Sequence, residues 1–212
     1  MNDAMPPLDG TGGTGEPIAA PPVGYTLVMP PGWARIPLRQ GTDEAIQKIA
    51  DDAVARLPRD FPRDKASLVR MELIKRLRKS ARESRDNAGL DLYLPVEEMH
   101  GVTVAASFVV SEISLDSVAD VDPAMVAAKL VADFDDTEPV SVHETVGIRA
   151  ERVVDANPKK GVEFPSRRVD YVLPVPEDPQ RWVTVNFSTL ADGDPTSEFA
   201  DLLVGLFDAV MT

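Results

Sequence analysis

Residues 168–190 read RVDYVLPVPEDPQRWVTVNFSTL, and this stretch decides the fold. Apolar and polar residues alternate on both sides of a Pro/Asp turn, which is the period-two pattern of two half-buried strands joined as a hairpin. One face of the predicted hairpin is apolar and comprises Val169, Tyr171, Leu173, Val175, Val183, Val185 and Phe187. This face requires a packing partner.

The partner follows directly along the chain. Apolar residues recur at helical spacing and form one continuous stripe: Phe199, Leu202, Leu203, Leu206, Phe207 and Val210. Asp194 followed by Pro195 is a cap-then-proline pattern that predicts a helix start. We expect this helix to pack its stripe on the hairpin.

Further strands and helices are predicted upstream. Strands are expected over 25–29 and 33–38 around a Pro-Pro-Gly turn, over 90–96 and 102–115, and over 140–142 and 145–155. The strand over 102–115 is apolar on both faces and is expected near the middle of the sheet. Helices are expected from Thr42, as N-cap, to Leu57, from Asp64 to Asn87 with Gly89 as the stop, and from Asp122.

These elements predict an α+β fold, with a central antiparallel sheet of about six or seven strands flanked by helices as an α/β/α sandwich. Residues 1–23 are rich in Gly and Pro and predict a disordered tail. Residues 24–212 are expected to form a single domain.

Composition excludes several functional classes. The net charge of -13 argues against nucleic-acid binding, because neutralising phosphates requires a basic surface. The chain has no cysteine, which excludes disulfides and thiolate chemistry. No apolar run approaches the length of a transmembrane helix, and the cytoplasm is the simplest expected location.

No catalytic, cofactor or metal site is predicted. His100 and His143 are the only histidines and lack the spacing of a zinc motif; His143 is expected within a strand. On that strand Ser141 and His143 would share one face and Glu144 would lie on the other, which is poor triad geometry. The acidic residues Asp133, Asp135, Asp136 and Glu138 lack the glycine of a calcium loop. The glycines at 10–15 match a nucleotide motif without the strand and helix it requires.

The helix expected over 64–87 is unusual because it is cationic in an acidic chain. Its region carries Arg63, Lys65, Arg70, Lys75, Arg76, Arg78, Lys79, Arg82 and Arg85. One interpretation is a docking surface for an acidic protein, an anionic membrane surface or RNA; the other is a solvated face that balances the acidic stretch over 116–138, in the same domain or in a second subunit. The predicted buried stripe is Leu68, Met71, Ile74, Leu77 and Ala81. Candidate partner-binding residues are Arg70, Lys75, Arg78, Lys79 and Arg82, together with Trp33 or Trp182 on an exposed sheet face.

The order of elements, the turn Pro30-Pro31-Gly32-Trp33 and the closing segments WVTVNFSTL and FADLLVGLFDAV resemble the PsbP-like fold shared with the Mog-type proteins. Similar small domains occur in actinobacteria, whose proteins are similarly rich in Ala, Arg, Asp and Val. The resemblance implies an α/β/α sandwich and an accessory or binding role, and it transfers no functional residue.

The sequence therefore predicts a non-enzymatic accessory or protein-binding domain. Its partner is expected to be an acidic protein or a second copy of the chain, docked through the cationic helix at 63–87. The alternative is a small-molecule-binding protein or enzyme, with a pocket between sheet and helices that uses residues such as Glu151, Arg152, Arg168 and Asp170. A third possibility is a secretion-associated or self-assembling structural protein.

Overall fold

A computed structural model describes residues 23–99, 101–114, 136–160 and 162–211, together with residues 125, 128, 129 and 132. Residues 1–22 of the predicted tail lie outside the described residues, as do His100, Asp133 and Asp135. Most of the helix expected from Asp122 does so too, although Met125, Ala128 and Lys129 are helical.

Seven strands form one sheet, and every neighbouring pair is antiparallel. They are β1 (Trp33–Pro37), β2 (Gly89–Pro95), β3 (Ala106–Ser114), β4 (Asp136–Val142), β5 (Thr145–Val154), β6 (Ser166–Val175) and β7 (Asp178–Thr189). Their order across the sheet is β1-β2-β3-β7-β6-β5-β4. The predicted α+β class is confirmed, and so is the interior position of β3. Residues 25–29 form no strand; Tyr25, Leu27 and Met29 pack against the core instead.

The described helices are α1 (Thr42–Ala55), α2 (Arg63–Asp86) and α3 (Glu198–Met211). The predicted packing of the last helix on the hairpin is confirmed. Phe207 of α3 stacks on Phe187 of β7 with ring centroids 4.7 Å apart, and contacts Tyr171 of β6 edge-on at 5.6 Å. Within the predicted stripe Leu202 is exposed, whereas Leu203 and Phe207 are buried.

A second apolar cluster joins α1 and α2 to β1 and β2. Its buried members are Ile36, Leu38, Ile46, Ile49, Leu77, Ala81 and Leu92. Leu92 belongs to this cluster, whereas the next residue, Tyr93, belongs to the cluster of α3. Since successive residues of a strand point to opposite faces, β2 contributes one face to each cluster.

The predicted buried stripe of α2 is wrong in its first half. Leu77 and Ala81 are buried, but Leu68 is 59% exposed and Met71 is 58% exposed. In the predicted stripe Leu68, Met71, Ile74 and Leu77 are each three residues apart. Three residues fall about 60° short of a full helical turn, so each successive side chain points about 60° further around the helix. Leu68 and Leu77 are nine residues, or about two and a half turns, apart, and therefore lie on opposite sides of the helix.

The helix ends also differ from the predicted ones. Gly41, with a positive φ of 76°, is the N-cap of α1; Thr42 lies inside the helix and donates from its hydroxyl to the Pro37 carbonyl. The cap of α3 is Ser197, whose Oγ accepts the amide of Ala200. After α2 the left-handed residue is Ala88, with φ 61°, rather than Gly89. Gly89 is required for space, because a Cβ there would lie 2.6 Å from the Ser84 carbonyl oxygen.

Candidate functional site

The surface of α2 that faces away from the sheet is the first candidate site. We define the outer strip as Leu68, Met71, Lys75 and Lys79, which recur every three to four residues along one side of the helix. All four side chains are exposed. Among the described residues, the two lysines form ion pairs with acids of their own helix, with Lys75 4.0 Å from Glu72 and Lys79 3.7 Å from Glu83. The outer strip therefore begins with two apolar side chains and continues with two cationic ones.

Other cations of α2 are used within the fold. Arg70 pairs with Asp51 of α1 at 2.6 Å, and Arg78 pairs with Asp43 of α1 at 2.9 Å. Asp51 has a pKa below its usual range because Arg70 donates a hydrogen bond to it. Two of the five predicted partner-binding cations therefore join α1 to α2. The acids of both pairs come from α1.

Arg82 lies on the same side of α2 as the outer strip and lines a surface groove with Met71, Lys75 and Lys79. Together with Arg78 and Arg85 it lines a cleft of about 180 Å³ beside the first turn of α1, which we call the arginine cleft. Arg85 is held by neutral acceptors: its Nε donates to the Leu38 carbonyl at 2.6 Å and its Nη2 to the Thr42 hydroxyl at 3.0 Å. No ion pair or hydrogen bond joins the Arg82 guanidinium to any other residue that the structure describes.

The two tryptophans do not form an exposed face. Trp182 is 3% exposed, so the expectation of an exposed sheet surface around it is wrong. It lies on the interior strand β7, opposite Ile113 of β3 and Pro174 of β6, and these neighbours flank it on both sides. Trp33 is half-buried, with its ring 5.6 Å from that of Phe108.

The charged residues suggested for a pocket between sheet and helices do not come together. Glu151 pairs with Arg149 and Arg167 on the face that carries α3, and Arg149 also binds Asp208 of that helix. Arg152, Arg168 and Asp170 lie on the opposite face, because Glu151 and Arg152 are successive residues of one strand. A single pocket using all four residues is excluded.

On that opposite face, Asp170 is a largely buried carboxyl. Burial raises its pKa, although a hydrogen bond with Asn186 and the charges of Arg152 and Arg168 act in the other direction. The cost of removing the carboxylate from water therefore exceeds the attraction of its neighbours.

An apolar cleft of about 200 Å³ lies at one end of the sheet. Leu90, Val142, Leu173 and Val183 supply apolar walls, Val23–Tyr25 close one side, and Glu112 and Arg181 are its charged groups. Arg181 is held 3.1 Å from Asp178. None of the described lining residues belongs to a helix, so the cleft differs in position from the pocket that the sequence suggested.

Sequence reasoning missed a buried carboxylate that anchors the segment before β1. Asp91 accepts two hydrogen bonds from Arg35, at 2.6 and 3.1 Å, and one from the Tyr25 hydroxyl. Burial and the bond to Asp91 raise the pKa of the Tyr25 hydroxyl, so it remains protonated and keeps donating. An acidic residue at an inward position of a predicted strand was the available signal.

The residues considered for catalysis are not arranged for it. His143 lies in the turn between β4 and β5 with φ 54° and is exposed, so its predicted place within a strand is wrong. Among the described residues, no group of three or more His, Asp or Glu side chains is placed to hold a metal ion. In the same part of the chain, no helix is both long and apolar enough to cross a membrane.

No protein-family model matches the chain, and no curated protein does. Functional inference therefore depends on the outer strip, the arginine cleft and the apolar cleft themselves.

Proposed function

We propose that the protein is a non-enzymatic binding domain that docks an acidic protein on the outer strip of α2. One observation carries this proposal: Leu68 and Met71 are each more than half exposed at the start of a strip that continues into Lys75 and Lys79. Apolar side chains supply binding energy through burial, whereas the lysines favour an acidic partner and speed its association.

The packing of α2 supports the same proposal. Only Leu77 and Ala81 are buried along its 24 residues. The helix carries nine Lys or Arg and four Asp or Glu in a chain of net charge -13. An acidic protein is favoured over nucleic acid, since the rest of the chain repels phosphates. We place this interaction in the cytoplasm.

At the level of the fold, we propose the α/β/α sandwich of PsbP-like and Mog-type domains. Two observations support it: the α1–α2 cluster and the α3 cluster draw on opposite faces of β2, and the sheet is antiparallel throughout. This proposal concerns architecture alone.

Crosslinked pull-down from host lysate tests the docking surface. The test variant is Lys75→Glu/Lys79→Glu, and its matched control is Arg59→Glu/Lys159→Glu, two exposed cations elsewhere with the same change of net charge. Arg70 and Arg78 are left unchanged, because reversing them would break the pairs with Asp51 and Asp43.

We expect the wild type and the control to capture one acidic protein that the test variant loses. The captured protein, once purified, must bind directly and more weakly at high salt, and Leu68→Gln/Met71→Gln must weaken it too. Equal capture by test and control variants would show that the outer strip is not the docking surface. Loss of self-association in the test variant would identify a second copy, instead of another protein, as the partner.

The apolar cleft favours a second candidate function, the binding of a small molecule with an apolar body and one polar end. Thermal unfolding with fatty acids of graded length tests it, since a ligand at 100 times its Kd adds about 2.7 kcal/mol to the free energy of unfolding. Val142→Trp fills the cleft and should abolish the shift. Val146→Trp, at an exposed position on β5, should retain it. The absence of any shift across the series would refute this function.

A further inference from the structure

The arginine cleft has more positive charge than the fold neutralises. Three guanidinium groups, those of Arg78, Arg82 and Arg85, line it, and Asp43 is the only acid among its described lining residues. Asp43 is paired with Arg78. Arg85 has neutral acceptors, and Arg82 has no partner among the described residues. The cleft therefore has a net charge of about two, which matches a dianion.

The hydrogen-bond donors of the cleft are also suited to an oxyanion. The cleft is lined by the buried side chains of Ile46 and Ala81 as well as by the three arginines. A guanidinium has five N–H donors in a planar fork, and the two hydrogen bonds of Arg85 use two of them. Those two bonds also fix Arg85 in place, so that little side-chain entropy is lost when an anion binds.

We infer that the arginine cleft binds a phosphate group. Phosphate fits better than a single carboxylate, because its two charges match the two unneutralised arginines and its three terminal oxygens can accept from more than one fork. The phosphate belongs either to a small molecule or to a phosphorylated side chain of another protein. The variants that test the two proposals change different residues, Lys75 and Lys79 for docking and Arg82 for phosphate, so the failure of one proposal can be distinguished from the failure of the other.

Nitrogen-15 NMR of the arginine Nε–H groups tests the inference with inorganic phosphate as the probe, at constant ionic strength against chloride. We expect saturable shifts at Arg78, Arg82 and Arg85. Arg76 lies on the same helix outside the cleft and pairs with Glu72, and its signal should not move. Affinity should fall at pH 5.5, where the second phosphate charge is lost.

The variant Arg82→Gln should weaken phosphate binding at least tenfold. Arg76→Gln makes the same change in charge and should leave the affinity for phosphate within twofold of the wild-type value. Arg82 has no described partner within the fold, so its loss should not unfold α2. Shifts that never saturate, or equal effects of the two variants, would show general charge screening and overturn the inference.

If inorganic phosphate binds, a second experiment identifies the kind of molecule that carries the phosphate group. Glycerol phosphate and a phosphoserine peptide are compared with the unphosphorylated peptide. Tighter binding of the phosphopeptide than of glycerol phosphate indicates a phosphorylated protein, and the reverse order indicates a small molecule. Binding of the unphosphorylated peptide with equal affinity would contradict phosphate recognition.

Discussion

The exposure of Leu68 is the structural observation on which the docking proposal depends, and a matched pair of substitutions tests it. Leu68→Ala and Leu77→Ala make the same chemical change on the same helix, but Leu68 is 59% exposed and Leu77 is 7% exposed. Full burial of a leucine contributes about 1.5–3 kcal/mol, so the buried part of Leu68 can contribute at most about 1 kcal/mol. Leu77→Ala also leaves a cavity and should cost about 2–4 kcal/mol.

Urea unfolding, followed by far-UV circular dichroism, measures both free energies of unfolding. We expect Leu68→Ala to lower the urea midpoint only slightly and Leu77→Ala to lower it several times further, with unchanged slopes. Equal costs for the two variants would refute the outward orientation of Leu68. A Leu68→Ala cost that grows with protein concentration would place this residue in an interface between copies of the chain.

Four further substitutions test other parts of the fold. Phe207→Ala removes the ring that contacts Phe187 and Tyr171, and should cost about 3–5 kcal/mol in urea unfolding. Gly89→Ala should destabilise the fold by about 1–3 kcal/mol, because the added Cβ would clash with the Ser84 carbonyl oxygen. Ala88→Gly should be neutral or stabilising, because glycine adopts a positive φ without strain. A larger loss of stability for Ala88→Gly than for Gly89→Ala would refute the assigned turn. Because burial raises the pKa of Asp170, the wild type should lose stability relative to Asp170→Asn as the pH rises from 3.8 through the raised pKa; a flat difference across this range would show that the carboxyl is not held in its neutral form.

The sheet and its main core were predictable from the sequence. Alternation over 168–190 assigns Val169, Tyr171, Val185 and Phe187 to one face. A strand has a side-chain period of two, so alternate residues must lie on the same face of the sheet. All four residues are buried on the face that carries α3. The last helix followed from the helical stripe over 199–210, and the interior place of β3 from a strand that is apolar on both faces.

The surface of α2 was not predictable in the same way. A helix with few buried residues has no strong periodicity, and steps of three or four residues are both acceptable locally. The spacing of three residues that includes Leu68 and Met71 turns progressively around the helix, from its exposed side to its buried side. The pairs that Arg70 and Arg78 make with Asp51 and Asp43 depend on how α1 lies against α2, which no local pattern records.

The roles of single side chains near turns were also not predictable from local sequence patterns. Asp194 and Ser197 are both suitable caps by residue type, and only the backbone shows that Ser197 accepts the helix amide. Trp182 was predicted on an exposed face, since its alternation with Val183 shows that they lie on different faces but not which neighbours cover each one.

The place of β7 in the sheet has a consequence for how the chain folds during synthesis. It is the last strand in sequence, yet it lies between β3 and β6 and joins the set β1-β2-β3 to the set β4-β5-β6. Until residues 178–189 leave the ribosome, both sets carry an unpaired inner edge, the kind of surface that recruits foreign strands. The nascent chain is therefore most open to misassembly just before its final hairpin forms, and a chaperone that covers strand edges would act in that interval.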